Sequence, residues 1–296
     1  MYVDSQEPVH ISQDSLREGE EYFYPGDIYI DGDLHGGAQV RSLAGIYVSG
    51  NVELSTLTAG GDIVVKGTVT GSPKNALTAG RDIRLANAHS LSAKAGRHIE
   101  VFSNVEISDF FAGGQITILT GLARDSKLMA LQGLWLTLVK CSVPRACELT
   151  VGYHYGFYER FTFYQQLQKR LTTEQQGQLN SMAATIRKVS ESPLKKKMGW
   201  ELDGKMSAIY ENKYNLDKLA AAMRQYKDWA MQDAQPIIVC EKGMDKGCQI
   251  VLQEHSLVLP DYLEGPATLV INKEKKTIGR VPGVHGLQKT RKENAQ

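Results

Sequence analysis

Apolar and polar residues alternate in short segments that recur along the first half of the chain. The segments lie at 26–30, 44–48, 61–65, 81–85, 98–101, 115–118 and 133–136. Their first apolar residues, at positions 28, 46, 63, 83, 99, 116 and 134, are separated by 16 to 20 residues. Such alternation predicts a strand with one buried face, and this repeat length suits one coil of a β-helix.

Turn-forming residues separate the predicted strands. Four residues after each first apolar position stand Gly32, Gly50, Gly67, Asn87, Ser103, Thr120 and Leu138. We interpret these as corners, because glycine and asparagine accept left-handed backbone angles. Small residues at 59–61, 79–80, 95–96 and 112–114 mark a second corner. We therefore predict stacked coils from residue 24 to about 150, with one buried column formed by Ile28, Ile46, Ile63, Ile83, Ile99 and Ile116.

The middle of the chain changes to a helical pattern. Residues 156–192 predict one long helix with a stripe of Phe161, Tyr164, Leu167, Leu171, Met182, Ile186 and Val189. Pro193, Lys195 to Lys197 and Gly199 mark a turn. A second stripe follows at Leu202, Met206, Ile209, Lys213, Leu216, Ala220, Met223, Lys227 and Ala230. Two helices with one stripe each predict an antiparallel coiled-coil hairpin, in which Lys213 and Lys227 weaken the seam.

Short strands return after Pro236, at 237–239, 249–252, 256–259 and 267–271. We expect them to cap the β-helix, because an open end exposes unpaired backbone groups. The predicted fold is mainly β, a right-handed β-helix with a helical insertion. Its parts are an N-terminal lead at 1–23, the β-helix at 24–152, the hairpin at 153–234, the capping strands at 235–281 and a flexible tail at 282–296.

Composition narrows the range of functions. The 34 basic and 33 acidic residues give a formal charge of +1, so no overall field attracts nucleic acid or anionic lipid. No window approaches eighteen consecutive apolar residues, which predicts no integral membrane segment. Cys141, Cys147, Cys240 and Cys248 form no CxxC pair, so we expect a reducing cytoplasm and neither a disulfide framework nor a zinc site.

Asp62, Asp82 and His98 occupy equivalent places on successive predicted coils. Such a column can bind a metal ion, and paired carboxylates can perform acid–base catalysis on a glycan. Aspartate is also a common turn residue that accepts hydrogen bonds from nearby backbone N–H groups, and we favour this structural role. Motifs for phosphate, dinucleotide, zinc-hydrolase and calcium sites are absent from the sequence. We predict no catalytic residue, no cofactor and no metal site.

An aromatic run and a lysine cluster could each be either a binding surface or a purely structural feature. The run comprises Tyr153, Tyr155, Phe157, Tyr158, Phe161, Phe163 and Tyr164, with His154 and Arg160 among them. These rings can stack on bases, but without a basic groove we expect them to pack where the hairpin leaves the β-helix. Lys195 to Lys197 can touch a membrane or an acidic partner, although charged turns are usually solvated.

The order of these parts resembles the flagellar assembly protein A family. The resemblance rests on GDIYIDGDL at 26–34, AGIYVSGNV at 44–52, AGGDIVVKGTV at 59–69, AGRDIRL at 79–85, AGRHIEV at 95–101 and FAGGQI at 111–116, then on the Val151-Gly152 junction and the long helical region. It extends from about Tyr24 to Val281. The C-terminal domain of the division inhibitor MinC is similar in the coils alone.

The resemblance implies a bacterial, cytoplasmic scaffold that acts at the cell pole through protein–protein contacts. It implies flagellar or cell-pole proteins as partners, a homo-oligomer formed through the hairpin, and no binding of nucleic acid. Family members often carry a larger N-terminal domain. We expect the function of that domain to be absent here or to be supplied by another protein. Two alternatives stay open: a β-helix enzyme acting on a glycan through Asp62 and Asp82, and a MinC-like regulator of a cytoskeletal polymer.

Overall fold

A computed structural model describes residues 7–12, 19–72, 75–144, 146–153, 155–191, 195–231, 236–272 and 274–282. The chain divides into two compact units, Met1–Tyr155 with Asp233–Gln296, and Gly156–Gln232. The first unit contains the strands and the second contains the helices. The predicted tail is 282–296: Pro282 ends the last strand, Thr277–Pro282, and residues 283–296 lie outside the described residues.

The first part of the strand unit contains nineteen described strands. In chain order they are β1 (Val9–Ser12), β2 (Glu21–Tyr24), β3 (Ile28–Asp31), β4 (Gln39–Ser42), β5 (Ile46–Val48), β6 (Val52–Glu53), β7 (Thr56–Ala59), β8 (Ile63–Thr70), β9 (Ala76–Ala79), β10 (Ile83–His89), β11 (Ser92–Ala95), β12 (Ile99–Val101), β13 (Val105–Glu106), β14 (Asp109–Ala112), β15 (Gln115–Ile118), β16 (Leu122–Arg124), β17 (Lys127–Ala130), β18 (Gly133–Lys140) and β19 (Glu148–Val151).

These strands stack into a β-solenoid of about seven turns. One sheet runs in the order β1, β3, β5, β8, β10, β12, β15 and β18, and a second runs β2, β4, β7, β9, β11, β14, β17 and β19, with all these neighbours parallel. The predicted column is confirmed, because Ile28, Ile46, Ile63, Ile83, Ile99 and Ile116 pair in succession and each is 0% exposed. The alternating pattern therefore identifies the inward face correctly.

The first coil begins earlier than the predicted boundary at residue 24. Val9 of β1 pairs with Ile28, and Glu21 of β2 pairs with Gln39, so both strands of the predicted lead join the sheets. Ile11 is buried in the same core. The lead was misassigned because its two strands are short and separated by residues without the repeat.

The glycines at the predicted corners serve two different purposes. Gly32 has a φ of +110°, as the left-handed interpretation requires. Gly50 and Gly67 do not adopt positive φ; a Cβ atom on either would lie about 2.5 Å from the carbonyl oxygen of the glycine one coil before it. Close stacking of coils, rather than a left-handed backbone, selects glycine at these two positions.

The strand unit resumes after the helices and closes with antiparallel strands. Its strands are β20 (Ile237–Met244), β21 (Gln249–Leu252), β22 (His255–Val258), β23 (Leu263–Glu264), β24 (Ala267–Asn272) and β25 (Thr277–Pro282). β20 and β21 continue the parallel stacking on β18 and β19. β22 and β24 then pair antiparallel to them, and β25 pairs antiparallel to β24. Antiparallel strands thus follow the last parallel coil, as a cap requires.

The second unit contains α1 (Tyr155–Glu191) and α2 (Lys195–Met231), each of 37 residues. α1 agrees with the predicted helix at 156–192. α2 begins at Lys195, so the three lysines and Gly199 belong to the helix and not to a turn. Two side-chain hydrogen bonds join the helices, from Lys205 Nζ to Thr185 Oγ1 at 2.7 Å and from Asn212 Nδ2 to Gln178 Oε1 at 3.3 Å.

Candidate functional site

The predicted column of Asp62, Asp82 and His98 exists, and each side chain accepts a backbone hydrogen bond from the next coil. Asp62 Oδ1 accepts from the N–H of Asp82 at 3.1 Å, and Asp82 Oδ1 accepts from the N–H of His98 at 3.2 Å. His98 Nδ1 accepts from the N–H of Gln115 at 3.1 Å. The three side chains thus satisfy backbone donors at a corner that the strand ladder leaves unpaired.

Arginines occupy the remaining carboxylate oxygens of this column. Arg97 contacts both oxygens of Asp82, at 2.7 and 3.2 Å, in the bidentate arrangement that matches a guanidinium to a carboxylate. Arg81 Nη2 donates to Asp62 Oδ2 at 3.3 Å, and its Nε lies 3.2 Å from Oδ1. Among the described residues there is no group of three His, Cys, Asp or Glu side chains arranged to hold a metal ion. The contacts favour a structural role for the column.

A second ladder of polar side chains follows the next corner of the coils. Asp33 Oδ1 accepts from the N–H of Asn51 at 2.6 Å, and Asn51 Oδ1 accepts from the N–H of Thr68 at 2.8 Å. Asn87 and Asn104 continue this pattern, the latter accepting from the N–H of Leu122 at 3.1 Å. Sequence reasoning assigned only Asn87 of these residues to a corner. The signal of the ladder is an aspartate or asparagine four or five residues after the first apolar position of a coil.

A shallow groove of about 320 Å³ runs over the outer face of the first sheet. Its lining includes Lys66, Arg84, Glu100, Phe102 and Leu119, but neither Asp62 nor Asp82. Glu100 is the one carboxylate of this lining, and its Oε2 forms an ion pair with Arg84 Nε at 3.7 Å. The groove therefore lacks the convergent carboxylates that a glycan-cleaving site requires.

Aromatic rings on the first coils stack on one another. The rings of His10 and Tyr29 lie 5.0 Å apart, and those of Tyr29 and Tyr47 lie 4.7 Å apart, with interplanar angles of 13° and 14°. Burial, followed by the charge of Asp27, raises the pKa of Tyr47. Because Tyr29 is covered on both faces, the stack stabilises neighbouring coils and leaves no inner ring face for a ligand.

Three rings of the predicted aromatic run lie among the described side chains. Tyr153 is partly buried, and burial followed by the charge of Glu254 raises its pKa to about 12. Phe163 is 61% exposed and tilts against Tyr164 with ring centroids 5.9 Å apart. The side chains of His154, Tyr155, Phe157, Tyr158, Arg160 and Phe161 and of Lys195 to Lys197 lie outside the described residues. The prediction of packing at the start of α1 stays a prediction for them.

The seam between α1 and α2 differs from the predicted stripes. Among the described side chains, the buried or half-buried positions are Tyr164, Leu167, Gln168, Leu171, Gln175, Gln178, Met182 and Thr185 on α1, and Lys205, Ala208, Ile209, Asn212, Leu216, Leu219, Ala220 and Met223 on α2. Ile186 is 48% exposed and Met206 is 36% exposed, so these two were wrongly assigned, whereas Lys213, which was expected to weaken the seam, is exposed. Polar residues lie in the seam near these positions: Lys205 forms a hydrogen bond with Thr185, and Asn212 forms one with Gln178.

Large apolar side chains lie on the outside of the helices instead. Leu179 is 42% exposed, Ile186 48%, Met206 36% and Tyr210 64%. Leu179 and Ile186 are seven residues apart and Met206 and Tyr210 four apart, so each pair lies on one face of its helix. We call these four residues the outer stripe. Exposed apolar residues that share a face mark a surface suited to protein contacts.

Three of the four cysteines come together, which the sequence did not predict. The thiol of Cys141 lies near those of Cys147 and Cys248, close enough for each of them to shift its pKa. Cys147 and Cys248 are fully buried, whereas Cys141 is partly exposed. The cluster joins residues about one hundred positions apart, so spacing along the chain carried no signal of it.

A comparison with protein-family models matches residues 21–277 to the Flagellar Assembly Protein A β-solenoid domain. This match covers well over half of the chain. The chain belongs to the Flagellar Assembly Protein A family. The comparison with curated proteins gave no match, and neither did the comparison with solved structures.

The Flagellar Assembly Protein A match includes the coils from β2 onward, both helices and the strands up to the start of β25. The solenoid is thus one family domain interrupted by the helical unit, rather than two domains in series. Neither described helix is long and apolar enough to cross a lipid bilayer.

Proposed function

We propose that this Flagellar Assembly Protein A member is a non-catalytic scaffold that acts in flagellar assembly or polar placement through protein–protein contacts. The proposed location is the cytoplasm, at the cell pole. The family match supports the flagellar connection. The observation that carries the scaffold proposal is the outer stripe, where the helices keep apolar side chains outside while polar ones occupy part of their seam.

The carboxylate column supports the non-catalytic part of the proposal. Asp62 and Asp82 each accept a backbone N–H group and face an arginine, so their oxygens already hold partners. A general acid needs a raised pKa and a general base needs an open approach to substrate.

We infer that α1 and α2 form an antiparallel hairpin of coiled-coil type. Moving from Thr185 and Lys205 to Gln178 and Asn212 takes seven residues back along α1 and seven forward along α2, as antiparallel helices require. On α2 the half-buried positions 205, 209, 212, 216, 219 and 223 alternate steps of four and three, the coiled-coil spacing, and on α1 the steps from 164 to 185 are also of three or four residues. We also infer that the solenoid winds right-handed, as connections between parallel strands almost always do.

A second copy of the chain is the proposed occupant of the outer stripe. In the antiparallel register, Ile186 lies opposite Met206 on one flank of the hairpin, with Leu179 and Tyr210 next along it. An apolar patch complements itself in a two-fold dimer without any matching of charges. Pairing two such flanks buries both stripes and yields a four-helix contact, while other surfaces stay open for flagellar or cell-pole proteins.

The double substitution Leu179→Ser and Ile186→Ser tests this proposal. We expect it to shift the protein from dimer to monomer in light scattering coupled to size exclusion, because it removes half of the apolar stripe on each copy. The matched control is Gln165→Ser with Thr172→Ser, at exposed positions in the same seven-residue series. An unchanged dimer in the Leu179/Ile186 variant, or a monomeric wild type, would contradict the proposal.

Variants of the carboxylate column separate the scaffold from the glycan enzyme. Asp62→Ala and Asp82→Ala are expected to leave motility and partner binding in the native host intact wherever the variant is folded. Loss of a glycan-directed activity in a folded Asp82→Ala protein would instead establish the enzyme.

A further inference from the structure

Three cysteines converge where the last coil before the helices meets the first coil after them. Cys141 directly follows β18, Cys147 directly precedes β19 and Cys248 directly precedes β21. β19 and β21 pair in parallel, with Glu148 opposite Gln249, so Cys147 and Cys248 hold equivalent positions on consecutive coils. The N–H of Gln249 donates to the carbonyl oxygen of Cys147 at 2.9 Å, which fixes this alignment.

Backbone contacts hold Cys141 beside the same coil. Its N–H donates to Asp245 Oδ2 at 3.2 Å, and the carbonyl oxygen of Asp245 accepts from the N–H of Cys248 at 3.4 Å. The Cys141 thiol, which lies near both other thiols, is partly exposed, whereas Cys147 and Cys248 are 0% exposed. A small oxidant therefore reaches Cys141 first.

The two buried thiols are held differently. Cys147 Sγ donates to the carbonyl oxygen of Lys140 at 3.0 Å, so reaction at this sulfur costs an existing hydrogen bond. The nearest carbonyl acceptor of Cys248 Sγ is that of Gln249, at 4.0 Å. Turning the sulfur of Cys248 towards Cys141 therefore breaks a weaker contact than turning the sulfur of Cys147 would break.

We propose that Cys141 and Cys248 are a redox-active pair, and that their disulfide joins the coil before the helical unit to the coil after it. The segment between them contains all of α1 and α2. The bond therefore closes a loop of the polypeptide that contains the whole insertion, and it fastens the C-terminal strands to the earlier coils.

Oxidation by a small-molecule disulfide such as oxidised glutathione balances in two exchange steps. The Cys141 thiolate attacks one sulfur of oxidised glutathione, forms a mixed disulfide and releases one glutathione thiolate. The Cys248 thiolate then attacks the Cys141 sulfur and releases the second glutathione thiolate. Two protein thiols lose two electrons in total, glutathione disulfide gains them, and the two thiol protons pass through solvent to the released glutathione.

The surroundings of Cys141 make its oxidation slow at neutral pH. A hydrogen bond with Cys147 lowers the pKa of Cys141, but the hydrogen bond with Cys248 and burial outweigh it and raise the pKa to about 12. The thiolate is the attacking form, and its fraction rises about tenfold per pH unit below the pKa. The rate of the first exchange is expected to rise about tenfold from pH 7.5 to pH 8.5.

Tryptic mapping without reduction tests which sulfurs join. Trypsin cleaves after Lys140, Arg145 and Lys246, so Cys141, Cys147 and Cys248 leave on three different peptides. We expect full-length protein equilibrated with oxidised glutathione at pH 8.5 to lose two of its four alkylatable thiols and to yield the Cys141–Cys248 linked peptide. Closing a loop of roughly 100 residues should also raise the urea midpoint of the oxidised protein.

Single serine variants supply the matched controls. Cys147→Ser should still form the bond, whereas Cys248→Ser should accumulate glutathione on Cys141. A linked peptide of Cys141 with Cys147, or a wild type that retains all its thiols, would overturn the proposal. Peptide mapping of the wild type decides the question even if a variant fails to fold.

Discussion

At the scale of single residues, the corner positions show how stacking imposes an unfavourable backbone conformation. Leu54, Ser90, Ile107 and Asp125 have φ values of 48° to 52°, although none is glycine. The N–H of Ser90 donates to the carbonyl of Glu106, and that of Ile107 to the carbonyl of Arg124, so consecutive coils hold each other in this conformation. The hydrogen bonds between coils offset the local cost.

Ile107 is the least suited residue in this column, because it is β-branched, left-handed and 58% exposed. We expect Ile107→Asn to raise the free energy of unfolding by about 1 kcal/mol, since asparagine tolerates this conformation and little apolar burial is lost. Urea denaturation followed by circular dichroism measures the change. Ile107→Val keeps the branched Cβ and should change stability by less than about 0.5 kcal/mol; a destabilised Ile107→Asn variant would show that the isoleucine packs against something.

At the scale of elements, the sequence determines the buried face of a solenoid strand more strongly than the buried face of a helix. A strand of the solenoid buries every second residue against a continuous core, so its inward face is strongly determined. A helix of the second unit buries one stripe against one partner, and in this unit polar residues occupy part of that stripe. The spacing of apolar residues predicted both helices. It could not predict which face of each helix is buried, because two adjacent faces both carry apolar residues.

The Gln178 and Asn212 pair tests this account of the seam. We expect the double substitution Gln178→Leu and Asn212→Leu to raise the thermal midpoint of the helical signal, because it replaces a buried polar pair by apolar contact. Asn212→Leu alone should gain less, since it leaves the Gln178 amide without its partner. Helical ellipticity during heating provides the measurement. If the single variant gained as much as the double one, the hydrogen bond would contribute nothing to the seam.

At the scale of the whole molecule, the strand unit is continuous across the helical insertion. β20 pairs with β18 and β21 pairs with β19, so the coils on either side of the insertion hold each other directly. Each unit has its own internal contacts. The helices are therefore available for association without being needed for the solenoid core.

Replacing residues 157–233 by a short Gly/Ser linker tests this division. We expect a soluble protein that retains the β-sheet signal in circular dichroism, because a flexible loop closes at modest entropic cost. It should lose self-association in size exclusion and bind its partners more weakly. The full-length Leu179→Ser, Ile186→Ser variant is the control for association alone. An insoluble product would mean that the helices belong to the core, and full retention of partners would place the binding surface on the coils.

The amino-acid sequence by itself determined the repeat, the inward isoleucine column, the extent of α1 and the family, because each depends on local periodicity or on the order of motifs. Only the tertiary structure decided which turn residues take left-handed angles, that Asp62 and Asp82 bond to the next coil, and that Cys141 meets Cys248. These contacts join residues whose separation depends on the length of each coil and of the insertion. A local pattern carries no information about that alignment, which backbone pairing between coils sets.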